Sequence, residues 1–230
     1  MTSLSTSFSS SRILVIGGGR GIGAALAARL RAEGADVHVS TRDGRTGLRL
    51  DLGDEASIAA ALDRVGELDH VVMTGSDPHD APVTELDRDA VVRAFDAKVI
   101  GPMLVAKHAA PLLRPGGSLL LFSGVVGWRP APSSVVKGTT NGAVAFAVTH
   151  LAAELAPVRV NAVSPGVVDS GAWDRLGAGK PEFLARAAER TLVRRHGDLD
   201  DVVDAAVWLL GARYVTGEVV HVEGGSRLLA

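Results

Sequence analysis

The chain alternates short, apolar, β-branched runs with longer alanine- and leucine-rich stretches whose apolar positions recur at helical spacing. Ile13-Leu14-Val15-Ile16 runs directly into glycines and reads as a buried strand. Gly23 to Glu33 carries the helical period and stops at Gly34, a residue suited to a helix C-terminus. Val37 to Thr41 and Leu48 to Leu52 read as the second and third strands, separated only by the turn-rich link Arg42 to Gly47. Asp54 can cap a helix running to about Val65, and Leu68 to Thr74 reads as a fourth strand. Arg88 to Leu113 predicts a long helix broken near Gly101-Pro102. Strand Ser118 to Phe122, helix Thr139 to Leu155 and strand Arg159 to Val163 follow. Ser170 to Gly197 is irregular with some helix, Asp200 to Leu210 is helical, and Glu218 to Val222 is the last strand. Repeated strand–helix units predict an α/β fold: one doubly wound parallel sheet of about seven strands with helices on both faces.

No repeat or low-complexity linker interrupts this pattern after Arg12, so residues 12–230 read as a single domain. The serine- and threonine-rich segment 1–11 reads as a flexible tail. It lacks the basic start and apolar core of a signal peptide. The 24 lysines and arginines against 26 acids leave a net charge of −2, without the basic excess that nucleic acid or an anionic membrane needs. The absence of cysteine excludes disulfides, thiolate metal sites and cysteine nucleophiles. No apolar run approaches the roughly 18 residues of a membrane span, and a cytoplasmic location is expected. The seven histidines show no metal-ligand spacing, so no metal is expected.

The first candidate chemistry lies between the first strand and the first helix. Gly17-Gly18-Gly19-Arg20-Gly21-Ile22-Gly23 gives a strand, a glycine turn and a helix N-terminus in succession, a context that makes an anion site. Glycines let the backbone turn tightly and let a pyrophosphate approach the helix N–H groups.

The spacing Gly17-x-x-x-Gly21-Ile22-Gly23 resembles that of the short-chain dehydrogenase/reductase family. The resemblance extends over about Arg12 to Arg227. It includes Asp51-Leu52 at the end of the third strand, Arg159-Val160-Asn161-Ala162-Val163-Ser164-Pro165-Gly166, Thr216-Gly217-Glu218 and Val222-Glu223-Gly224-Gly225. It implies a Rossmann-type sheet binding a dinucleotide at the strand C-termini. It also implies cofactor contacts from Gly17, Gly19, Arg20, Gly21, Ile22, Gly23, Asp51, Leu52, Thr74, Gly75, Asn141, Pro165, Gly166, Val168 and Ser170. The second strand ends Ser40-Thr41-Arg42, with no carboxylate to hold a ribose 2′-OH until Asp43. Arg20 and Arg42 suit a 2′-phosphate through bidentate charge-assisted hydrogen bonds, which predicts NADP(H). The Arg42–Gly47 link is too short for the helix that the family usually places there.

The active site departs from the family pattern of Asn, Ser, and Tyr followed four residues later by Lys. Counting back from Leu151-Ala152-Ala153-Glu154-Leu155-Ala156-Pro157 puts Lys137 at the tyrosine position and Asn141 at the lysine position. Ser123-Gly124-Val125-Val126-Gly127 puts Gly124 at the catalytic serine and Ser123 just before it. Phe95-Asp96-Ala97-Lys98 puts Lys98 at the asparagine. Met73-Thr74-Gly75-Ser76 replaces the family's Asn-Asn-Ala-Gly, and the only tyrosine, Tyr214, is remote in sequence. Asparagine and lysine have thus partly changed places. Desolvation and a cationic neighbour would lower the pKa of Lys137 and let it protonate or hydrogen-bond a developing alkoxide, or form a Schiff base. Lys98, Asn141 and Ser123 would support it.

Ser170 to about Gly197 corresponds to the family's substrate loop and carries Trp173, Phe183 and several arginines interspersed with acids, a pattern that suits a solvated amphipathic helix. Trp128, Pro130 and Pro132 would form the opposite wall. Phe95, Val99, Met103, Val144, Phe146 and Val148 exceed what one sheet face needs and predict a homodimer or homotetramer through the two long helices. The resulting expectation is an NADP(H)-dependent oxidoreductase acting on a small carbonyl, alcohol or imine through a non-tyrosine site. The alternatives are a catalytically silent NADP(H)-binding or scaffold protein, and a non-redox isomerase or cyclase that uses the lysines.

Overall fold

A computed structural model describes residues 8–229. Seven parallel strands form one sheet in the order β3-β2-β1-β4-β5-β6-β7. They are β1 (Arg12–Ile16), β2 (Asp36–Thr41), β3 (Leu48–Arg49), β4 (Leu68–Met73), β5 (Leu113–Phe122), β6 (Arg159–Pro165) and β7 (Val219–Val222). The helices are α1 (Gly21–Ala32), α2 (Glu55–Val65), α3 (Arg88–Phe95), α4 (Gly101–Ala109), α5 (Val135–Glu154), α6 (Lys180–Glu189) and α7 (Leu199–Gly211).

Side chains alternate across each strand, so the sheet has two dry faces. On one, Leu14, Ile16, Val71, Leu119 and Leu121 pack beneath α2, α4 and α5 through Leu62, Val105, Val144 and Val148. On the other, Ile13, Val15, Val72 and Leu120 pack beneath α1 and α7 through Leu26, Leu30, Val203 and Leu210. Val144 and Val148 therefore belong to the core of this chain and are not surplus apolar surface. Met103 and Phe146 do remain exposed.

Three elements differ from the sequence expectation for physical reasons. β3 spans two residues, not five: parallel strands ordinarily need a crossover of a dozen or more residues, and the Arg42–Gly47 link brings only Leu48 and Arg49 alongside Ser40 and Thr41. The long helix from Arg88 divides at a π-helical turn, Asp96–Ile100, and ends earlier, because β5 already begins at Leu113. The segment 1–11 is not wholly a free tail. Met1 to Ser7 lie outside the described residues, but Phe8 is buried in the α1/α7 core and sets its ring edge-on against His70.

Candidate functional site

The C-terminal ends of the strands, where doubly wound sheets hold ligands, carry nearly every residue singled out from the sequence. The glycine turn leaves β1 and is tied to β2, since the Gly17 and Gly18 N–H groups both donate to Ser40 O, at 3.0 and 3.2 Å. Thr74, just past β4, clamps its other side: its hydroxyl donates to Ile16 O and Gly17 O at 3.0 and 3.2 Å. Gly17 has φ +83°, and a Cβ there would stand 2.8 Å from the Thr74 hydroxyl. A Cβ on Gly23 would run into Gly17 O. Only glycine fits either place. The turn delivers the chain to the N-terminus of α1, whose first turn has no acidic residue, so its N–H groups and dipole stay available to an anion. Arg20 sits exposed at the N-cap.

Around this cradle, Asp51 accepts from the Gly53 N–H at 3.0 Å, while Leu52 is buried and lies within contact of Gly75. Pro165 ends β6, and the Gly166 N–H donates to Val222 O at 3.0 Å. Val168 is buried and bridges to Gly197, and Ser170 comes up against Gly21. The glycine turn, the β4 loop and the segment after β6 therefore converge. Ile22 packs from α1 into the core below them.

Arg42 is exposed on the rim, where its guanidinium forms an ion pair with Asp77 at 3.1 Å.

The residues at the family's catalytic positions also meet, in roles that differ from the expectation. Ser123 is buried and its hydroxyl donates to Asn141 O at 2.8 Å, so it anchors α5 instead of facing a substrate. Asn141 is buried as well, and its amide fills the space where a side chain at 124 would go. A Cβ on Gly124 would lie 2.9 Å from Asn141 Nδ2. Gly124 and Asn141 are thus sterically matched, and a serine at 124 would force the Asn141 amide to shift.

Lys98 lies in the π-helical turn, a departure from α geometry that often marks functional positions. Its ammonium points back to Ser123 O at 3.4 Å. The side chain keeps some accessible area, yet protein surrounds it densely enough that burial, followed by repulsion from the Lys137 ammonium, lowers its pKa to about 8. The desolvated lysine is therefore Lys98, where the sequence had pointed to Lys137. Lys137 instead pairs with Asp80 at 2.5 Å. The pairing has a local reason: α5 starts at Val135, earlier than expected, which puts Lys137 in its first turn with no acidic neighbour there. A cation near a helix N-terminus is unfavourable, and Asp80 supplies the missing counter-charge. Asp77 and Asp80 were not anticipated. The signal was the acidic loop Ser76-Asp77-Pro78-His79-Asp80 directly after a strand that ends at the site.

In the segment after β6, Trp173 donates to Val168 O at 3.0 Å and packs on Phe183. Arg186 pairs with Glu182, Arg195 with Asp201, and Lys180 with Asp169 and Asp174, as a solvated charged surface requires. Trp128 sets its ring against His221 in β7. Tyr214 is fully exposed and takes no part in the site. Among the described residues no cluster of three or more His, Cys, Asp or Glu could hold a metal, and no helix is long and apolar enough to cross a membrane.

Residues 17–227 match the family model described as enoyl-(acyl carrier protein) reductase. An uncharacterized oxidoreductase of Methylorubrum extorquens is 32% identical over 239 residues, covering 93% of this chain and 96% of its own length. The short-chain dehydrogenase/reductase ATR9 of Stachybotrys chlorohalonatus is 30% identical over 245 residues, covering 94% and 96%. Among solved structures, a small-chain dehydrogenase in complex with NADPH superposes with a TM-score of 0.89 at 34% identity, covering 95% of this chain and 99% of that one. With its sheet order, its glycine turn and these matches along nearly its whole length, the chain belongs to the short-chain dehydrogenase/reductase family.

Proposed function

We propose that the protein is an NADP(H)-dependent oxidoreductase that acts on a small carbonyl, alcohol or imine through a lysine-based site without the family's tyrosine. The observation that carries this reading is the coexistence of an intact dinucleotide cradle with two lysines at the reacting end, one enclosed and one salt-bridged. The residues fit the cofactor. The Gly17 and Gly23 positions admit no side chain, the α1 N-terminus has no acidic residue, and Thr74 holds the turn open from β4. Gly17, Gly19, Gly21, Ile22 and Gly23 would take the pyrophosphate. Arg20 and Arg42 would take the 2′-phosphate, Asp51, Leu52 and Gly75 the adenine, and Asn141, Pro165, Gly166, Val168 and Ser170 the nicotinamide end. The small-chain dehydrogenase with bound NADPH adds weight to this choice of cofactor.

When bound, the cofactor supplies or accepts a hydride. The chain's own residues must then supply or accept a proton at the substrate oxygen or nitrogen. Lys137 stands at the proton-donor position and gives up one ammonium proton, with Asp80 orienting it and balancing its charge. Lys98, with a pKa of about 8, passes between charged and neutral forms near physiological pH and can restore that proton. Asn141 and Ser123 hold the α5 end of the site in register.

The first test is titration with NADPH and NADH by nicotinamide fluorescence, followed by a carbonyl and imine panel. Tight NADPH and weak NADH binding is expected, and failure to bind either sinks the reading. In the active enzyme Lys137→Ala costs on the order of 10²–10⁴ in rate if Lys137 is the acid. Unchanged turnover removes it from that role.

One feature favours a second reading, a silent NADP(H)-binding protein. The Lys137 ammonium and the Ser123 hydroxyl are both already engaged within the chain. That reading predicts binding without turnover. We place the protein in the cytoplasm as a homodimer or homotetramer, with the exposed Met103 of α4 and Phe146 of α5 in the interface. Sedimentation of wild type against Phe146→Glu tests the assembly.

A further inference from the structure

The ion pair between Arg42 and Asp77 joins two elements that are not neighbours in the sheet. Arg42 follows the last residue of β2, and Asp77 lies four residues beyond the end of β4. β1 lies between those strands, and its C-terminal end opens into the glycine turn at Gly17. Strands two places apart are separated by about 9.5 Å, so these two side chains reach toward each other over the mouth of the phosphate cradle. The missing β2–β3 helix makes this reach possible. Arg42 sits on a six-residue link, Arg42 to Gly47, and not at the start of a helix that would fix its direction. Arg20, the other arginine assigned to the 2′-phosphate, has no carboxylate partner among the described residues.

We infer that Asp77 is a built-in competitor for the 2′-phosphate: it occupies the Arg42 guanidinium in the cofactor-free protein and must release it before Arg42 can engage a phosphate. This rests on the NADP(H) assignment above and adds to it a residue that tunes cofactor affinity. The carboxylate and the incoming phosphate carry like charge, so one guanidinium does not serve both at full strength. Binding a 2′-phosphorylated adenosine therefore exchanges one anion for another at Arg42. An adenosine without that phosphate gains nothing from Arg42 and leaves it with Asp77. An exposed ion pair contributes about 0.2–1 kcal/mol, so the competition is worth up to about fivefold in affinity.

The test isolates the adenosine half of the cofactor. Binding of 2′,5′-ADP and of ADP is measured by calorimetry for wild type, Asp77→Asn, Arg42→Gln and the double variant. Each is first checked for unchanged thermal unfolding. Asp77→Asn is expected to tighten 2′,5′-ADP two- to fivefold and leave ADP unchanged. In the Arg42→Gln background the same substitution is expected to have no effect. Unchanged or weakened 2′,5′-ADP binding in Asp77→Asn overturns the inference, and weakening would make the pair a strap closing over bound nucleotide. Equal tightening in both backgrounds also overturns it, by showing direct repulsion that does not pass through Arg42. If wild type binds neither NADPH nor 2′,5′-ADP, the cofactor assignment itself fails, and that result is distinct from all of these.

Discussion

His70 allows a prediction about acid stability that is independent of function. It lies in β4 on the α1/α7 face, its Nδ1 is 2.8 Å from Ser118 Oγ, and Phe8 covers its ring edge-on. Burial, with a smaller push from the Arg159 charge, lowers its pKa from 6.5 to about 4. Below pH 6.5 the unfolded chain takes up a proton that the folded chain refuses until about pH 4. The unfolded state thus binds more protons in this window, and stability falls as pH falls through it. A shift of about 2.5 units corresponds to roughly 3.4 kcal/mol in full, and about 1.8 kcal/mol of it is lost between pH 7 and pH 5. The assay is urea unfolding, followed by fluorescence of Trp128, Trp173 and Trp208, at pH 7, 6 and 5 for wild type and His70→Asn. The variant loses ring packing and is less stable at pH 7, but its stability should fall by about 1.8 kcal/mol less than that of wild type on going to pH 5. Parallel pH profiles for the two proteins would refute the reasoning, because the other titrating groups are common to both.

Three further outcomes are expected. Arg159, buried in β6, donates to the carbonyls of Leu209, Ala212 and Leu210 at 2.9, 3.1 and 2.7 Å, capping the C-terminal end of α7 with a cation. Arg159→Met should therefore lower stability by about 2–4 kcal/mol, measured by urea midpoint. Gly124→Ser should be destabilising and should not create activity, whereas Asn141→Ala in the same chain should recover the lost stability; independent, additive effects in this double-mutant cycle would contradict the steric match. Lys98→Met should abolish an ionisation near pH 8 in the kcat profile of the active enzyme. It should also raise stability at pH 7, where the wild type must bury a charged ammonium; an unchanged pH profile removes Lys98 from proton transfer.

How far the molecule could be read from its sequence depended on whether a feature was local. The cradle was legible because strand, glycine turn and helix start occupy consecutive residues, and the glycines are there for reasons confined to that turn and its clamp at Thr74. The seven strands were legible because each face needs its own apolar set, and this imposes a pattern on every run. What escaped was non-local. The shortening of β3 depends on how far a six-residue link can carry the chain, and the π-helical turn that places Lys98 leaves no periodic trace in five residues.

The lysines show the same division in chemical terms. The resemblance put Lys137 and Lys98 at two of the family's catalytic positions, but which of the two is enclosed is a property of what packs around it. Lys98 sits in the π-helical turn between α3 and α4, where its ammonium meets a backbone carbonyl, whereas Lys137 at the start of α5 is reached by Asp80 from the β4 loop. Residue identity therefore gives two interchangeable ammonium groups, and the fold makes them unequal: one salt-bridged and fixed, the other enclosed and poised near pH 8. The proton relay proposed above rests on that difference in surroundings and not on the mere presence of two lysines.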